Sequence, residues 1–235
     1  MTQPKISVVI PCYNESAIIS QTIAAVADFF RFRSWPFELI VVDDASTDTT
    51  VKLAAKYSWV TIIRNPVNRG KGYSVKVGML AASGELILFT DADLSTPMAE
   101  LPKLLRFAGE YDIIIGSRAV QGAYIGRRQP IYKMLIGKLG NYWIRLCLGL
   151  PFRDTQCGFK LFRRRTRFIF QKQTLDRWGF DFEVLYLAQQ HKLKIREVGV
   201  SWYNDASSLV TFGGYGKTLW EVLQVRLNAL RGKYN

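Results

Sequence analysis

Leu86-Ile-Leu-Phe-Thr-Asp-Ala-Asp93 is the stretch on which the fold turns. Its apolar residues run without alternation, the pattern of a strand covered on both faces. Two carboxylates follow at once, where the chain leaves the strand. Working outward, the same arrangement recurs. Apolar, β-rich runs at 6–11, 37–43, 60–65 and 112–116 read as further strands. Helical patterns fill the intervals at 17–32, 48–57, 72–82 and 97–108. Alternation of this kind predicts an α/β fold, with a Rossmann-like, mostly parallel sheet and helices on both faces. Such sheets bind ligands beyond the C-terminal ends of their strands. The unusual polar clusters fall there: Tyr13-Asn14-Glu15, Asp43-Asp44, Asp91-Ala92-Asp93 and Ser117-Arg118.

The second half is less regular. Residues 121–129 read as a loop. From 132 to 150, Tyr132, Leu135, Ile136, Leu139, Trp143, Leu146, Cys147 and Leu150 form an apolar stripe at helical spacing, with Lys133, Lys138, Asn141 and Arg145 off it. A helix is expected at 182–191, a strand at 195–200 and a last helix at 215–231. No linker or repeat divides the chain. A single domain over 1–235 is expected, in two halves, 1–118 and 119–235.

Charge divides the halves. The net charge is +13, yet residues 1–117 hold 11 Lys+Arg against 12 Asp+Glu, and residues 118–235 hold 21 against 7. The basic half is expected to meet an anion: a membrane surface, a phosphate-bearing substrate or nucleic acid. No arrangement of aromatics resembles a nucleic-acid-binding motif, so nucleic acid is not expected. A single histidine, His191, leaves no material for a His base or a His metal cage. Three cysteines without CxxC spacing argue against a disulfide framework or a zinc site and fit a reducing compartment. The start of the chain leads straight into a strand-like run, so neither a signal peptide nor an N-terminal membrane helix is expected, and no apolar run is long enough to span a bilayer. The expected location is cytoplasmic and peripheral on a membrane.

Several motifs carry chemistry. Asp91 and Asp93, two apart at a strand end, suit one hard cation, Mg²⁺ or Mn²⁺, with a diphosphate supplying further oxygens; a solvated turn capping the helix after Pro97 is the bland alternative. After the second strand, Asp43 is the candidate for a nucleobase or ribose contact, and Ser46 or Asp48 is expected to cap the next helix. Tyr13 is placed to stack on a base and Glu15 to bind a ribose hydroxyl; a plain helix start accounts for Asn14 and Glu15 equally well. In Asn68-Arg-Gly-Lys-Gly72 the glycines permit close approach, and Arg69 or Lys71 can reach a base or phosphate. There is no Walker A spacing and no GxGxxG, which disfavours dinucleotide binding. Asp154-Thr-Gln-Cys-Gly-Phe-Lys160 and Trp178-Gly-Phe-Asp181-Phe-Glu183 either line a sugar pocket, supply a base, or hold a buried Asp bonded to backbone. Arg163-Arg-Arg165 with Arg167 is either a headgroup contact or a solvated face.

Taken in order, SVVIPCYNE, VVDDASTDTT, NRGKG, the DAD after its strand and GSR resemble the family-2 glycosyltransferases. The stretches DTQCGFKLF (154–162) and WGFDFE (178–183) and the tail from Ser207 to Leu230 are similar to the dolichyl-phosphate β-glucosyltransferase branch, with polyprenyl-phosphate glycosyltransferases as near relatives. The resemblance implies a GT-A fold, an inverting mechanism, a divalent metal and transfer of one hexose from a nucleotide sugar, UDP-glucose, to a polyprenyl phosphate at an anionic membrane surface. It implies that Pro11, Tyr13, Glu15 and Asp43 hold the nucleotide, with Lys71 on the donor. Asp91 and Asp93 would hold metal and diphosphate, and Arg118, with Arg127 or Arg128, the acceptor phosphate. Asp93, Asp154 and Asp181 are the catalytic candidates, the last two orienting acceptor or sugar, or serving as base. The mannose synthases of the family carry Gln two residues after the second aspartate where this chain has Ser95, which favours the glucosyl branch. Relatives carry a Ser-Lys pair near the tail where this chain has Ser207-Ser208, and Lys217 is the possible substitute. The competing readings are mannosyl transfer from GDP-mannose and a non-catalytic basic membrane-binding module.

Overall fold

The computed structural model describes residues 5–126, 131–203 and 212–234, without the side chains of 131–136 and 212–215. Arg127, Arg128, Ser207 and Ser208 lie outside the described residues. In chain order the elements are β1 (Ile6–Cys12), α1 (Ile19–Phe32), β2 (Phe37–Asp43), α2 (Thr50–Ala54), β3 (Thr61–Arg64), α3 (Lys71–Ala81), β4 (Leu86–Thr90), α4 (Leu101–Leu105) and β5 (Ile113–Ser117). The second half adds β6 (Tyr124–Ile125), α5 (Ile131–Leu148), β7 (Phe159–Arg163), α6 (Phe168–Lys172), α7 (Phe180–Gln190), β8 (Ile195–Gly199), β9 (Ser201–Trp202) and α8 (Phe212–Leu230).

Seven strands form one sheet in the order β3-β2-β1-β4-β7-β5-β8. All neighbours are parallel except β7, which runs antiparallel to both β4 and β5. Successive residues of β1 and β2 face opposite sides and both sides are buried. Val9, Ile40 and Val42 pack with α3, α5, α6, α7 and α8, whereas Val8, Ile10, Leu39 and Val41 pack with α1 and α4. That double cover explains the unbroken apolar runs of these strands.

β7 was not expected. Its sequence, Phe-Lys-Leu-Phe-Arg, carries two cations, and one of them, Lys160, is only 1% exposed. A buried charge needs a partner that sequence periodicity does not display. Through β7 the second half enters the middle of the sheet built by the first. The other departures are smaller. α2 and α4 are shorter than their patterns, and a 3-10 turn at Met98–Glu100 precedes α4. Short elements at β6, α6 and β9 carry no clear period.

Strand order reverses between β1 and β4, which opens a crevice at their C-terminal ends. Pairing of β1 with β4 stops at Val9 and Phe89. Pro11 lies beyond that point. Since the Cys12 carbonyl bonds toward β2, the Pro11 nitrogen faces the β4 side, where no donor is needed. The proline thus marks where the two strands part.

Candidate functional site

Three turns leave the sheet beside this crevice, and each holds a non-glycine residue with positive φ: Asn14 (56°) after β1, Ala45 (62°) after β2 and Leu94 (47°) after β4. Such backbone persists where surroundings over-determine it, and it concentrates at functional edges. The first two turns are sewn together. The Asn14 amide donates to Ser46 Oγ, the Thr47 amide to Asn14 Oδ1, and the Glu15 amide to Thr50 Oγ1. Asp48 accepts from the Ser16 and Thr50 amides. Of the two expected caps for α2, Asp48 is the one that serves: from one residue before the formal N-cap, Thr49, it accepts from the amide of Thr50, the first helical residue, whereas Ser46 is turned toward β1. Nor is Asn14-Glu15 the start of α1, whose N-cap is Ile18. Tyr13 stands half exposed at the lip of the crevice and Glu15 is partly buried behind it.

Asp43 and Asp44 end β2 with different partners. Asp43 has no exposed surface. It accepts from the Ser46 amide and pairs with Arg64 Nε at 3.3 Å, and Arg64 itself is largely exposed. A direct contact of Asp43 with a ligand requires Arg64 to move aside. Asp44 accepts from Asn65 Nδ2 and from the amides of Arg69 and Gly70, at 2.8, 3.0 and 2.7 Å. It thereby holds the turn before α3, where Gly70 has a φ of 110° that other residues rarely adopt. The two candidates in that turn diverge. Arg69 is held by Asp176 and stacks on Tyr73, while Lys71 points to the crevice.

Lys71 Nζ lies 2.6 Å from Asp91 Oδ1 and about equally far from the faces of Phe89 and Trp178, at 5.4 and 5.3 Å. Burial works against its ammonium, but Asp91, then Asp181 and Asp93, outweigh burial and raise its pKa. Asp93 accepts from the Ser95 amide and from Ser95 Oγ, both at 2.8 Å. Burial raises the Asp93 pKa and the Asp91 charge adds to this, against the two Ser95 bonds. The helix after Pro97 has no side-chain cap, so the bland capping role for this pair does not hold.

The second half closes the site from β7. Lys160 and Asp181 form a buried ion pair, and Lys160 also donates to the Cys157 carbonyl at 2.7 Å. Burial raises the Asp181 pKa, opposed first by Lys160 and then by Lys71. Its partner is thus a side chain, not backbone. Asp154 is gripped by Arg118 through the amide, Nε and Nη2, at 2.9, 2.7 and 2.9 Å. Burial alone would raise the Asp154 pKa, but the Arg118 charge and hydrogen bonds hold it below the ordinary value. A carboxylate so held is a poor base and a good anchor. Arg118 lies over Trp202, and among the described residues its Nη1 makes no hydrogen bond. Glu183 accepts from Thr174, Leu175 and Tyr234 and is structural. Lys217 is exposed on α8 near Glu221, and no described contact brings it to Asp91 or Asp93.

The structure therefore gathers Lys71, Asp91, Asp93 and Asp181 around one crevice, with the Arg118–Asp154 pair beside Lys160 and Tyr13 half exposed on the turn after β1. Sequence reasoning missed the roles of Ser46, Asp44 and Lys160 and the steric role of Gly158, where an added β-carbon would stand 2.0 Å from Asp91 Oδ2. Two close carboxylates, one of them raised by its neighbour, suit a hard divalent cation. Among the described residues no group of three or more His, Cys, Asp or Glu side chains is arranged to hold one alone. The donor set fits a cation whose remaining ligands are phosphate oxygens.

Comparison with known proteins bears on the family and the fold. A dolichyl-phosphate β-glucosyltransferase from Drosophila melanogaster is 37% identical over 88% of this chain and 70% of its own length. The Homo sapiens protein of that name is 34% identical over 98% and 77%. Among solved structures, glucosyl-3-phosphoglycerate synthase from Mycobacterium tuberculosis, in complex with Mn²⁺, UDP-glucose and phosphoglyceric acid, superposes with a TM-score of 0.65 at 21% identity, covering 96% of this chain and 79% of that one. This likeness shows the GT-A fold. The profile of Glycosyl transferase family 2 matches residues 7–168, from β1 through the crevice turns to α6, and with these relatives it establishes that the chain belongs to family 2 of the glycosyltransferases.

Proposed function

We propose that this chain transfers glucose from UDP-glucose to a polyprenyl, dolichyl-type phosphate at a membrane surface. It would work as one catalytic unit, with residues 1–118 serving the donor and 119–235 the acceptor. The observation that carries the reading is the pair Asp91 and Asp93 at the parting of β1 and β4, with Lys71 already on Asp91. The names of the relatives, dolichyl-phosphate β-glucosyltransferase, support glucose and the lipid acceptor.

In this reading Pro11 and Tyr13 form the wall for the nucleotide, Glu15 takes a ribose hydroxyl, and Asp43 contributes once Arg64 swings off it. Asp91 and Asp93 hold Mg²⁺ or Mn²⁺ together with the diphosphate. The metal, when bound, neutralises charge on the departing nucleoside diphosphate. Lys71 is close enough to Asp91 to pass from the carboxylate to a phosphate oxygen. The reaction is a single displacement. An acceptor phosphate oxygen bonds to the anomeric carbon, the bond from that carbon to the donor diphosphate breaks, and its electron pair leaves with the diphosphate. The acceptor oxygen is already ionised at neutral pH, so no strong base is needed. Asp154 then has the task of holding Arg118 toward the acceptor phosphate, with Arg127 and Arg128 as further partners. Asp181 orients the sugar or the acceptor from its place on Lys160. Positioning and electrostatic support supply the rate.

The membrane part rests on α5 and α8, which pack on each other. Leu139, Tyr142, Trp143 and Leu146 on α5 are exposed, as are Leu219, Trp220, Leu223 and Leu227 on α8. Ile144 and Leu148 take the core face of α5 instead. Among the described residues no helix is long and apolar enough to cross a membrane.

A donor panel of UDP-glucose, GDP-mannose and UDP-N-acetylglucosamine, with a short polyprenyl phosphate and either metal, tests the reading. UDP-glucose alone should give lipid-linked sugar. Transfer from GDP-mannose in its place, or no transfer at all, would overturn it.

A further inference from the structure

A depression of about 710 Å³ lies at the opposite end of the sheet from the carboxylates. It is lined by Glu85 and Leu86 at the start of β4 and by Arg163, Arg164 and Arg165 at the end of β7, with Trp35, Leu105 and Arg106. From Leu86 to Asp91 the strand runs roughly 16 Å at the usual rise per residue, so this is not part of the donor crevice. Four arginines line it, with Glu85 the one acidic residue of the lining.

The arginines are fixed in place mostly by carbonyls. Arg163 donates to the Ala108 and Gly109 carbonyls, and Arg164 donates to that of Ser83 at 3.0 Å. Arg165 alone has a carboxylate, Asp112. A carbonyl holds a guanidinium in position without cancelling its charge. Structural roles account for Arg163 and Arg165. They do not account for Arg106, which has no hydrogen bond or ion pair among the described residues. Beside these cations lie Trp35, Leu86, Pro102 and Leu105, an apolar wall. The volume falls within the range of small-ligand sites.

We propose that this depression is a second anion site, separate from the donor crevice, for a phosphate or diphosphate group attached to an apolar or planar portion. Arg106 and Arg164 take the phosphate oxygens through unspent N–H donors, and Trp35 and Leu105 take the attached portion. The phosphate belongs either to a free small molecule or to a lipid headgroup.

The test uses the full chain carrying Asp93→Asn and follows the Trp35 indole resonance, assigned with Trp35→Phe. One arm titrates inorganic pyrophosphate. The other measures co-sedimentation with phosphatidylcholine vesicles, with or without phosphatidic acid. Arg106→Ala/Arg164→Ala is compared in both arms after its thermal unfolding has been matched to the parent. A saturable Trp35 shift with pyrophosphate, weakened roughly tenfold or more in the double variant, supports a free anion. Arginine-dependent binding to phosphatidic acid vesicles without a pyrophosphate shift supports a headgroup. No response in either arm, or equal responses in parent and double variant, overturns the proposal. Glucosyl transfer by Arg106→Ala/Arg164→Ala in the otherwise native chain is expected to be unchanged, so failure here is distinct from failure of the proposed reaction.

Discussion

Gly158 approaches Asp91 so closely that a β-carbon there would stand 2.0 Å from Oδ2. The turn before β7 thus sets the position of the carboxylate after β4. Gly158→Ala should push Asp91 off Lys71 while leaving the sheet intact, because the clash falls on a side chain. A displacement of about 1 Å at a reacting centre is worth on the order of a hundredfold in rate. We expect UDP release from UDP-glucose, stimulated by polyprenyl phosphate, to fall by about that factor, with far-UV circular dichroism unchanged. Near-native turnover would mean that Asp91 does not need its present place.

Asp93→Ala should remove turnover by roughly a thousandfold or more, the scale of a lost electrostatic contact to developing charge. The fold should survive, because the Ser95 groups left without Asp93 are near the surface and water can replace the carboxylate. Chelation with EDTA should abolish transfer and Mg²⁺ or Mn²⁺ should restore it. A radiolabelled transfer assay reads both. Full activity in EDTA would end the metal argument.

Lys160 and Asp181 are each almost wholly buried and bonded to one another. Removing one partner of such a pair leaves a stranded charge and costs about 3–5 kcal/mol, whereas replacing both by apolar residues is often near neutral. Lys160→Met should therefore lower stability by about that amount in urea titrations. Lys160→Met/Asp181→Leu should recover most of it yet remain inactive if Asp181 orients the sugar or the acceptor. A stable and active double variant would reduce Asp181 to a packing residue.

The parallel half of the fold was legible because β1, β2, β4 and β5 are largely buried and read as apolar runs closed by polar turn residues, whereas β3, at the sheet edge, is only partly covered. The carboxylates at those strand ends were legible for the same reason, since strand direction alone sends Asp91 and Asp93 to the crevice. What escaped was set by partners distant in sequence. β7 reads as a charged segment until Asp181 is seen against Lys160. The division of labour between Asp43 and Asp44 depends on Arg64 and on the Arg69 and Gly70 amides. The apolar stripe of α5 was legible as a stripe, but its direction was not. Leu139 and Leu146 face outward, and Ile144, off that stripe, faces the core.

Glu38 of β2 offers a pH test away from the site. It accepts from Ser7 Oγ, from the Ser83 amide and Oγ, and from Lys5. Burial would raise its pKa, but the Ser7 and Ser83 hydrogen bonds outweigh burial and lower it from 4.5 to about 2. A depressed folded-state value means stabilisation that is complete above the unfolded value and lost as pH falls through the folded one. Glu38→Ala should cost about 2 kcal/mol at pH 7, the scale of hydrogen bonds to a charged group. The gap between variant and native chain should narrow as pH drops from 4.5 toward 2. A gap constant across that range would show that the carboxylate charge is not what holds Ser83.

The outward faces of α5 and α8 make the membrane reading quantitative. The stretch 131–148 holds three Lys+Arg and no Asp or Glu, and 212–234 holds four against Glu221 alone. Apolar side chains with such flanks suit the headgroup and acyl boundary of an anionic bilayer. Each large side chain moved out of water contributes about 1.5–3 kcal/mol, so one well-placed charge should weaken vesicle binding roughly tenfold. Trp220→Glu and Leu146→Glu are both at exposed positions, so little folding stability should be lost. Both should reduce co-sedimentation with phosphatidylglycerol-containing liposomes and slow transfer to a long polyprenyl phosphate. Slow background hydrolysis of UDP-glucose should be unaffected, since Asp91 and Asp93 are untouched. A native chain that stays in the supernatant at low salt would remove the membrane from the proposal while leaving the donor chemistry standing.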